Sequence, residues 1–437
     1  MKKIKPIYWI LLLGLSLRLI SLNQSLWLDE AIQWWASSSF SLPQLVSQYI
    51  QGDFNPPLFH LITWLWIRVF TDSEISLRFP SVLFGLGTVY FVYKLGGFKA
   101  ALLAATAPLL IYSSQEARMY SLAAFTTTAA IYFLVKRRPL PYILSAVAML
   151  YSHYLTWLLL PISFLSAPLL TGIILVSLIP WLPMFIQQLQ HGLGAATNPA
   201  WGSLSALSVK SALLVPIKFL IGRLPVEPNL FYAFILLVPL CLSIYLIFKA
   251  KNRLLSAWLF IPIILGALIS LKVPVFSYFR FLFVLPAFYL LLTLGINHLP
   301  KRLRLYAFTF FMLINIFSSG LYLLNPNFHR ENWREAVAYI HTQPAPVVIY
   351  SAVTAPFDYY DRGESLVISE QNLDQLINQP AAWYISYAQP IFDSQDKVRT
   401  TLDNLGFEEV SQRHFRTVTV IRYFNPTAKL FSSSLLQ

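Results

Sequence analysis

Two adjacent carboxylates stand just after a membrane-length apolar run, in Ser25-Leu-Trp-Leu-Asp29-Glu30-Ala31. Charge at that place has two readings. Asp and Glu in a first helical turn are favoured by the helix dipole, and a carboxylate within reach of a hydroxyl can take its proton. A second group, Gly52-Asp53-Phe-Asn55-Pro-Pro57-Leu-Phe-His60, adds a carboxylate, an amide and an imidazole, with Ser73-Glu74 and Arg78 after it. A third, Tyr112-Ser-Ser-Gln115-Glu116-Ala-Arg118-Met-Tyr120, sets acid and guanidinium side by side among apolar residues. Arginine at the headgroup level with carboxylates nearby suits an anionic group such as a lipid phosphate. Lone charges at the ends of apolar runs are more often anchors that snorkel, which fits Lys94 and Lys210. Glu116 and Arg118 continue helix-like runs on both sides and need partners. His60 and His153, the latter in Tyr151-Ser-His-Tyr154, stand where a lone histidine is usually a hydrogen-bonded interface residue. Arg280, in Ser277-Tyr-Phe-Arg280, either faces a lipid phosphate or snorkels.

The elements that carry these residues follow from composition. The 437 residues are 57% hydrophobic and 12% charged, with a mean hydropathy of +0.59, whereas soluble domains run near a quarter charged. The chain reads as a polytopic α-helical membrane protein. Its net charge of +13 is spread in short basic groups between apolar runs, a topology signal rather than a nucleic-acid face, so nucleic acid is excluded as a partner. The single cysteine, Cys241, lies in an apolar run, which excludes disulfides and cysteine-based metal sites. No small-residue cleavage site precedes Asp29, so Met1-Lys-Lys-Ile-Lys5 opens an uncleaved first helix.

Apolar segments near the 20-residue yardstick fall at 6–24, 79–96, 99–115, 118–135, 140–157, 158–170, 171–188, 230–248, 254–271, 279–298 and 304–324, about eleven spans. A further run at 58–70 is short, rich in Trp and carries His60 and Arg68. As a span it would put Lys136-Arg-Arg138, Lys249/Lys251/Arg253 and Lys301/Arg302/Arg304 opposite the amino-terminal lysines. As an interfacial helix it puts all of them, with Lys94 and Lys99, on the cytoplasmic side, and the positive-inside rule selects that reading. The outer face then holds residues 25–78, the turn at 112–118, the neighbourhood of His153, segment 189–229, the loop at 272–278 and the tail after 325. Within 189–229, the stretch 204–221 reads as a second interfacial or re-entrant helix. The tail alternates helix at 333–341, strand at 347–350, helix near 373–377, strand at 382–387, helix near 395–405 and strands around 407–410 and 417–423. This predicts a transmembrane domain over 1–324, with its first outer loop at 25–78, and a small soluble α/β extracytoplasmic domain over 325–437. Asp358, Asp361 and Arg362 read as surface-loop residues.

The ordered set Asp29-Glu30, Asp53-x-Asn55-Pro-Pro57, Ser73-Glu74-x3-Arg78-x-Pro80-Ser81 and Tyr112-x2-Gln115-Glu116-Ala-Arg118-Met-Tyr120 resembles the bacterial branch of the GT-C integral-membrane glycosyltransferases. That branch, glycosyltransferase family 39-like, includes protein O-mannosyltransferases and the aminoarabinose transferases acting on lipid A. The match covers roughly residues 8–160, and the later spans in general character only. It implies a GT-C-like frame and a sugar carried on a polyprenyl phosphate. The sugar would pass with inversion to a hydroxyl of a lipid, cell-surface glycan or protein on the outer face of the bacterial plasma membrane, with membrane lipids as further partners. By the same resemblance Asp29 is the base and Glu30 orients it or the acceptor. Arg78 and Arg118 stabilise the leaving phosphate. Asp53, Asn55, Glu116, Gln115, Tyr120, His60, His153 and Arg280 line the donor site. A divalent cation, Mg or Mn, held by Asp29, Asp53 and Glu116 is left open. The chain departs from the aminoarabinose branch in having Phe54-Asn55 before Pro-Pro where that branch has Glu-Lys. It departs from the mannosyltransferases in having Met-Tyr-Ser-Leu after Arg118 where they have Leu-Asp-Pro. A polytopic lipid or solute transporter or flippase is the alternative, but the apolar runs hold few ionisable residues and no two halves repeat. An outer-face binding protein merely anchored by its spans does not need so many of them.

Overall fold

The computed structural model describes residues 5–195, 202, 205–224, 230–426 and 428. The chain divides into two compact units, residues 1–22 with 36–328 and residues 23–35 with 329–437.

The first unit is helical. Among the described residues four helices are long and apolar enough to cross a membrane: Glu74–Thr106, Pro168–Gly194, Tyr278–Asn297 and Lys301–Leu324. Shorter apolar helices run over Pro6–Leu19, Leu58–Val69, Tyr120–Val135, Pro139–Leu150, Tyr154–Ser166, Phe234–Lys249 and Arg253–Ile269. The expected runs at 79–96 and 99–115 meet at Gly97, whose φ of 74° breaks the Glu74–Thr106 helix. Such a backbone conformation favours glycine. Ser73 starts that helix, its Oγ accepting from Ser76 N at 3.4 Å. The Leu58–Val69 helix has 12 residues, about 18 Å at the usual rise, short of the roughly 30 Å hydrocarbon core. In the expected helix at 204–221, Leu204 lies outside the described residues, as do Lys2 and Lys3; the observed helix is Val209–Ile221.

Small residues let these helices approach closely. Ala100, Ala101, Ala104 and Ala105 on one helix and Ala123, Ala124 and Ala130 on another are buried in one apolar cluster, the packing expected where lipid supplies no hydrophobic drive between helices. A Cβ built on Gly295 would overlap the carbonyl oxygen of Leu246 in the neighbouring helix. Gly295→Ala must push two backbones apart and is expected to cost about 1–3 kcal/mol, read as a lower unfolding temperature in detergent. Gly320→Ala, where the added methyl meets nothing within 4 Å, is the matched control and is expected to leave that temperature unchanged.

The second unit is built on a five-stranded sheet in the order β2-β1-β3-β5-β4. Its strands are β1 (Val347–Ile349), β2 (Val367–Ser369), β3 (Ala381–Tyr387), β4 (Glu408–Phe415) and β5 (Val418–Phe424). β1 pairs in parallel with β2 and β3, while β5 pairs antiparallel with β3 and β4. The core joins Trp333, Val337 and Ile340 of the Trp333–Ile340 helix to Val347, Val348, Trp383, Ile385 and Val420 of the sheet. Leu28 belongs to this core and Ile32 packs against it, which is why residues 23–35, read from sequence as part of an outer loop, cluster with the tail.

The alternating tail elements are found close to where periodicity puts them. Two more lie where the sequence reads as loop: the Thr354–Asp361 helix and β2. Asp361 is therefore not a surface-loop residue. It is buried on that helix and accepts from His341 Nε2 at 2.8 Å, Ser365 N at 3.0 Å and Ser365 Oγ at 2.5 Å. The helix has eight residues and the strand three.

Candidate functional site

In the first unit Asp53 follows the short turn Ile50–Gly52. Pro56 and Pro57 then lead into the Leu58–Val69 helix, with Pro57 at its N-cap. This places His60 in the first turn, where its Nε2 lies 2.7 Å from Asp53 Oδ2. Asn55 Nδ2 donates to the same oxygen at 3.4 Å, and the Tyr49 ring meets the His60 ring edge-on at 5.5 Å. The loop is fastened from outside. Leu58 N donates to Tyr151 O at 3.1 Å, Gln188 Nε2 donates to the carbonyls of Ile50 and Asn55, and Tyr154 donates to Gln188 Oε1. His60 Nδ1 is buried without a hydrogen-bond partner among the described residues.

Burial pushes the Asp53 carboxyl up, but the charge and hydrogen bond of His60 and the charge of Arg118 outweigh it and hold it at about 2. Asp53 is thus ionised at neutral pH. A carboxyl whose folded value lies below its unfolded one adds stability above the unfolded value, and that stability is lost as pH falls through the folded one. Asp53→Asn is expected to remove the part of the thermal-stability loss that wild type shows between about pH 4 and pH 2, followed by circular dichroism.

The third motif runs from the end of the Pro108–Ser114 helix through the turn at 115–119 to the first residue of the Tyr120–Val135 helix. Gln115 Nε2 donates to Arg18 O at 3.0 Å and Ile20 O at 2.6 Å, satisfying carbonyls at the end of the Pro6–Leu19 helix that have no helical partner. Arg78 is fully buried, and its Nη1 donates to Leu22 O at 2.8 Å. Both side chains thus hold the first helix end. Arg18, fully buried and not singled out by sequence, completes the clamp. Its Nε donates to Ser114 Oγ at 3.0 Å, and its Nη1 to Gly14 O at 3.0 Å and Ala105 O at 3.1 Å.

Arg118 has different neighbours. Its charge bears on Asp53 and, with that of Arg280, on His153. His153 Nδ1 accepts from Leu155 N at 3.2 Å, so that nitrogen carries no proton. The Tyr120 ring meets Phe279 edge-on at 5.6 Å and His153 at 5.9 Å. Arg280 lies over Phe279 at 5.9 Å, and its Nη1 donates to Pro274 O at 3.3 Å. Two further cations were missed by the sequence reading. Arg223 Nη1 donates to Tyr112 Oη at 2.8 Å, and Lys218 is buried with its Nζ donating to Leu224 O. Arg223 and Glu116 both act on Tyr278. One unit thus gathers Asp53, Asn55, His60, Glu116, Arg118, Tyr120, His153 and Arg280, with two guanidiniums beside two carboxylates. Such a set suits a ligand that carries an anionic group and hydroxyls. Among the described residues no group of three or more His, Cys, Asp or Glu side chains is arranged to hold a metal ion.

Asp29 and Glu30 belong to the second unit, in the first turn of the Leu28–Ser39 helix. Glu30 is fully buried, whereas Asp29 is partly exposed. Leu26 N donates to Tyr360 Oη at 2.8 Å, Leu28 N to Glu331 Oε2 at 3.2 Å and Arg334 Nη2 to Asn23 O at 2.7 Å. Glu331, missed from sequence because it lies far downstream in the chain, carries a carboxyl pushed up by burial and by the charge of Asp29. Hydrogen bonds from Tyr387, Trp333 and Leu28 oppose that rise.

No protein-family model matches the chain, and no curated protein matches it. Its fold resembles that of ArnT, a GT-C glycosyltransferase from Cupriavidus metallidurans. The structure of ArnT bound to undecaprenyl phosphate aligns with a TM-score of 0.57 at 12% identity, over 95% of this chain and 97% of that one. The apo structure of ArnT aligns with a TM-score of 0.54 at the same identity and coverage. The likeness is one of fold.

Proposed function

We propose that this protein is an inverting glycosyltransferase that moves a sugar from a polyprenyl-phosphate donor to an acceptor hydroxyl on a lipid, cell-surface glycan or protein. The observation that supports this reading is the gathering of Arg118, Arg280, Asp53 and His153 in the first unit. That unit sits in a chain whose fold matches, over nearly its whole length, a protein solved with undecaprenyl phosphate. A lipid phosphate is a good leaving group whose growing charge is eased by cations, and Arg118 and Arg280 are assigned to it. Asp53 and His60 face the sugar hydroxyls, with Asn55, Glu116 and Tyr120 completing the donor site. A hydroxyl acceptor is a weak nucleophile, so a carboxylate takes its proton as the oxygen attacks the anomeric carbon; Asp29 is assigned that role and Glu30 its support. Attack from the face opposite the phosphate inverts the anomeric centre.

The same reading sets the chain in the bacterial plasma membrane as a protein of about eleven spans. The amino terminus is cytoplasmic, and the first loop and the tail face outward. The short Leu58–Val69 helix, with Arg68 over the Trp64 ring at 3.6 Å, is an interfacial element in this topology. The test is transfer from a panel of radiolabelled undecaprenyl-phosphate sugars to membrane extracts by the purified protein in liposomes. Release of undecaprenyl phosphate with a product of opposite anomeric configuration is expected. Lipid translocation across the liposome without release would select the flippase reading instead.

A further inference from the structure

The helix that carries Asp29 has an unusual start. Trp27, the residue before Leu28–Ser39, has no side-chain oxygen to accept from the first-turn amides, a role normally filled by Ser, Thr, Asp or Asn. A distant carboxylate fills it: Glu331 Oε2 accepts from Leu28 N at 3.2 Å. The same oxygen accepts from Trp333 Nε1 at 2.8 Å, and Oε1 accepts from Tyr387 Oη at 2.6 Å. Trp333 is fully buried at the head of the Trp333–Ile340 helix, and Tyr387 ends β3. The carboxylate is therefore held by three donors, two of them on elements of the sheet core, and it grips the amide of the residue that precedes Asp29. The charge of Asp29 bears on both Glu331 and Tyr387. Two acids so close repel. An apolar residue at 331 would avoid that repulsion, and the hydrogen-bonded cap is what the acid supplies in exchange.

We propose that Glu331 is a positioning residue. Its carboxylate, fixed by Trp333 and Tyr387, caps the helix start and sets the direction in which Asp29 points at the acceptor hydroxyl. This rests on the assignment of Asp29 as the base. A helix start that frays would leave Asp29 present and ionised but misplaced, and small misplacements of a reacting group carry large kinetic costs.

The test uses the full-length protein in detergent and reads two quantities. Hydrogen exchange of the amides of 26–31 reports the cap without any ligand, and steady-state kinetics use the undecaprenyl-phosphate sugar that wild type turns over. Glu331→Ala is expected to speed exchange at these amides at least tenfold and to lower kcat ten- to fiftyfold, with the donor KM within twofold. Glu331→Gln is expected to restore both to within about threefold, because its amide oxygen accepts from Leu28 and Trp333 while its NH2 donates to Tyr387. Where Glu331→Ala lowers the yield of folded protein, Tyr387→Phe removes one donor only and is expected to lower kcat about fivefold at unchanged KM. Unchanged exchange in Glu331→Ala overturns the cap, and faster exchange with unchanged kcat overturns the positioning of Asp29. A loss that Glu331→Gln does not rescue overturns it too. If wild type transfers no sugar, the transfer reading fails while the exchange result still decides the cap.

Discussion

Asp29→Asn is expected to lower turnover by about a hundredfold or more, the lower end of what a positioned general base contributes, while folding and donor binding stay close to wild type. The substitution is nearly isosteric and keeps an oxygen acceptor, but an amide cannot take a proton from the attacking hydroxyl. A hundredfold corresponds to about 2.7 kcal/mol of transition-state stabilisation. Asp29 is partly exposed in the first turn of its helix, where its charge gains some 0.3–1 kcal/mol from the helix dipole. Glu30 differs because it is fully buried. Glu30→Gln alters a group committed to the interior and is expected to affect folded yield as well as rate. The measurement is kcat and donor KM for each variant beside its thermal unfolding. Turnover of Asp29→Asn within threefold of wild type removes Asp29 from the role of base.

The second large effect belongs to Arg118. Arg118→Ala is expected to lower kcat/KM for the donor by about a hundredfold through both parameters, since a cation on the leaving phosphate acts in binding and more strongly as charge grows. Arg118→Lys is expected to recover only part of the loss, because an ammonium lacks the planar fork that meets a phosphate in two places. The structure adds a second consequence. Arg118 is one of the charges that hold the Asp53 carboxyl low. Its removal is expected to raise that carboxyl's pKa, visible as a shift toward higher pH of the acid transition that Asp53 governs. Arg78→Ala should differ in kind. Arg78 is buried with its Nη1 on the backbone of Leu22, so its loss should appear first as a lower unfolding temperature.

These distinctions mark where the sequence is readable and where it stops. Chemistry-bearing residues within one motif are legible because their neighbours are close in the chain: Asp53 and His60 are a single helical turn and two prolines apart, and they meet. The apolar runs and the alternation of the tail are legible for the same reason, since periodicity is local. Arg78 and Gln115 stand out by motif and type, and their contacts include backbone carbonyls at the end of the first helix. Nothing in a linear reading gives those carbonyl contacts. Arg18 carries a signal of its own, a charge near the end of an apolar run. Glu331 had none, because its partners are Leu28, Trp333 and Tyr387, brought together only when residues 23–35 pack with the tail.

Mass spectrometry of lipids that copurify with the detergent-solubilised protein, wild type beside Arg118→Ala and Arg280→Ala, decides whether the chain holds the proposed donor. A polyprenyl phosphate or its glycosylated form is expected with wild type and depleted in both arginine variants, and a sugar still attached would name the donor. Bulk phospholipid alone, in the same proportions for all three proteins, would contradict that expectation.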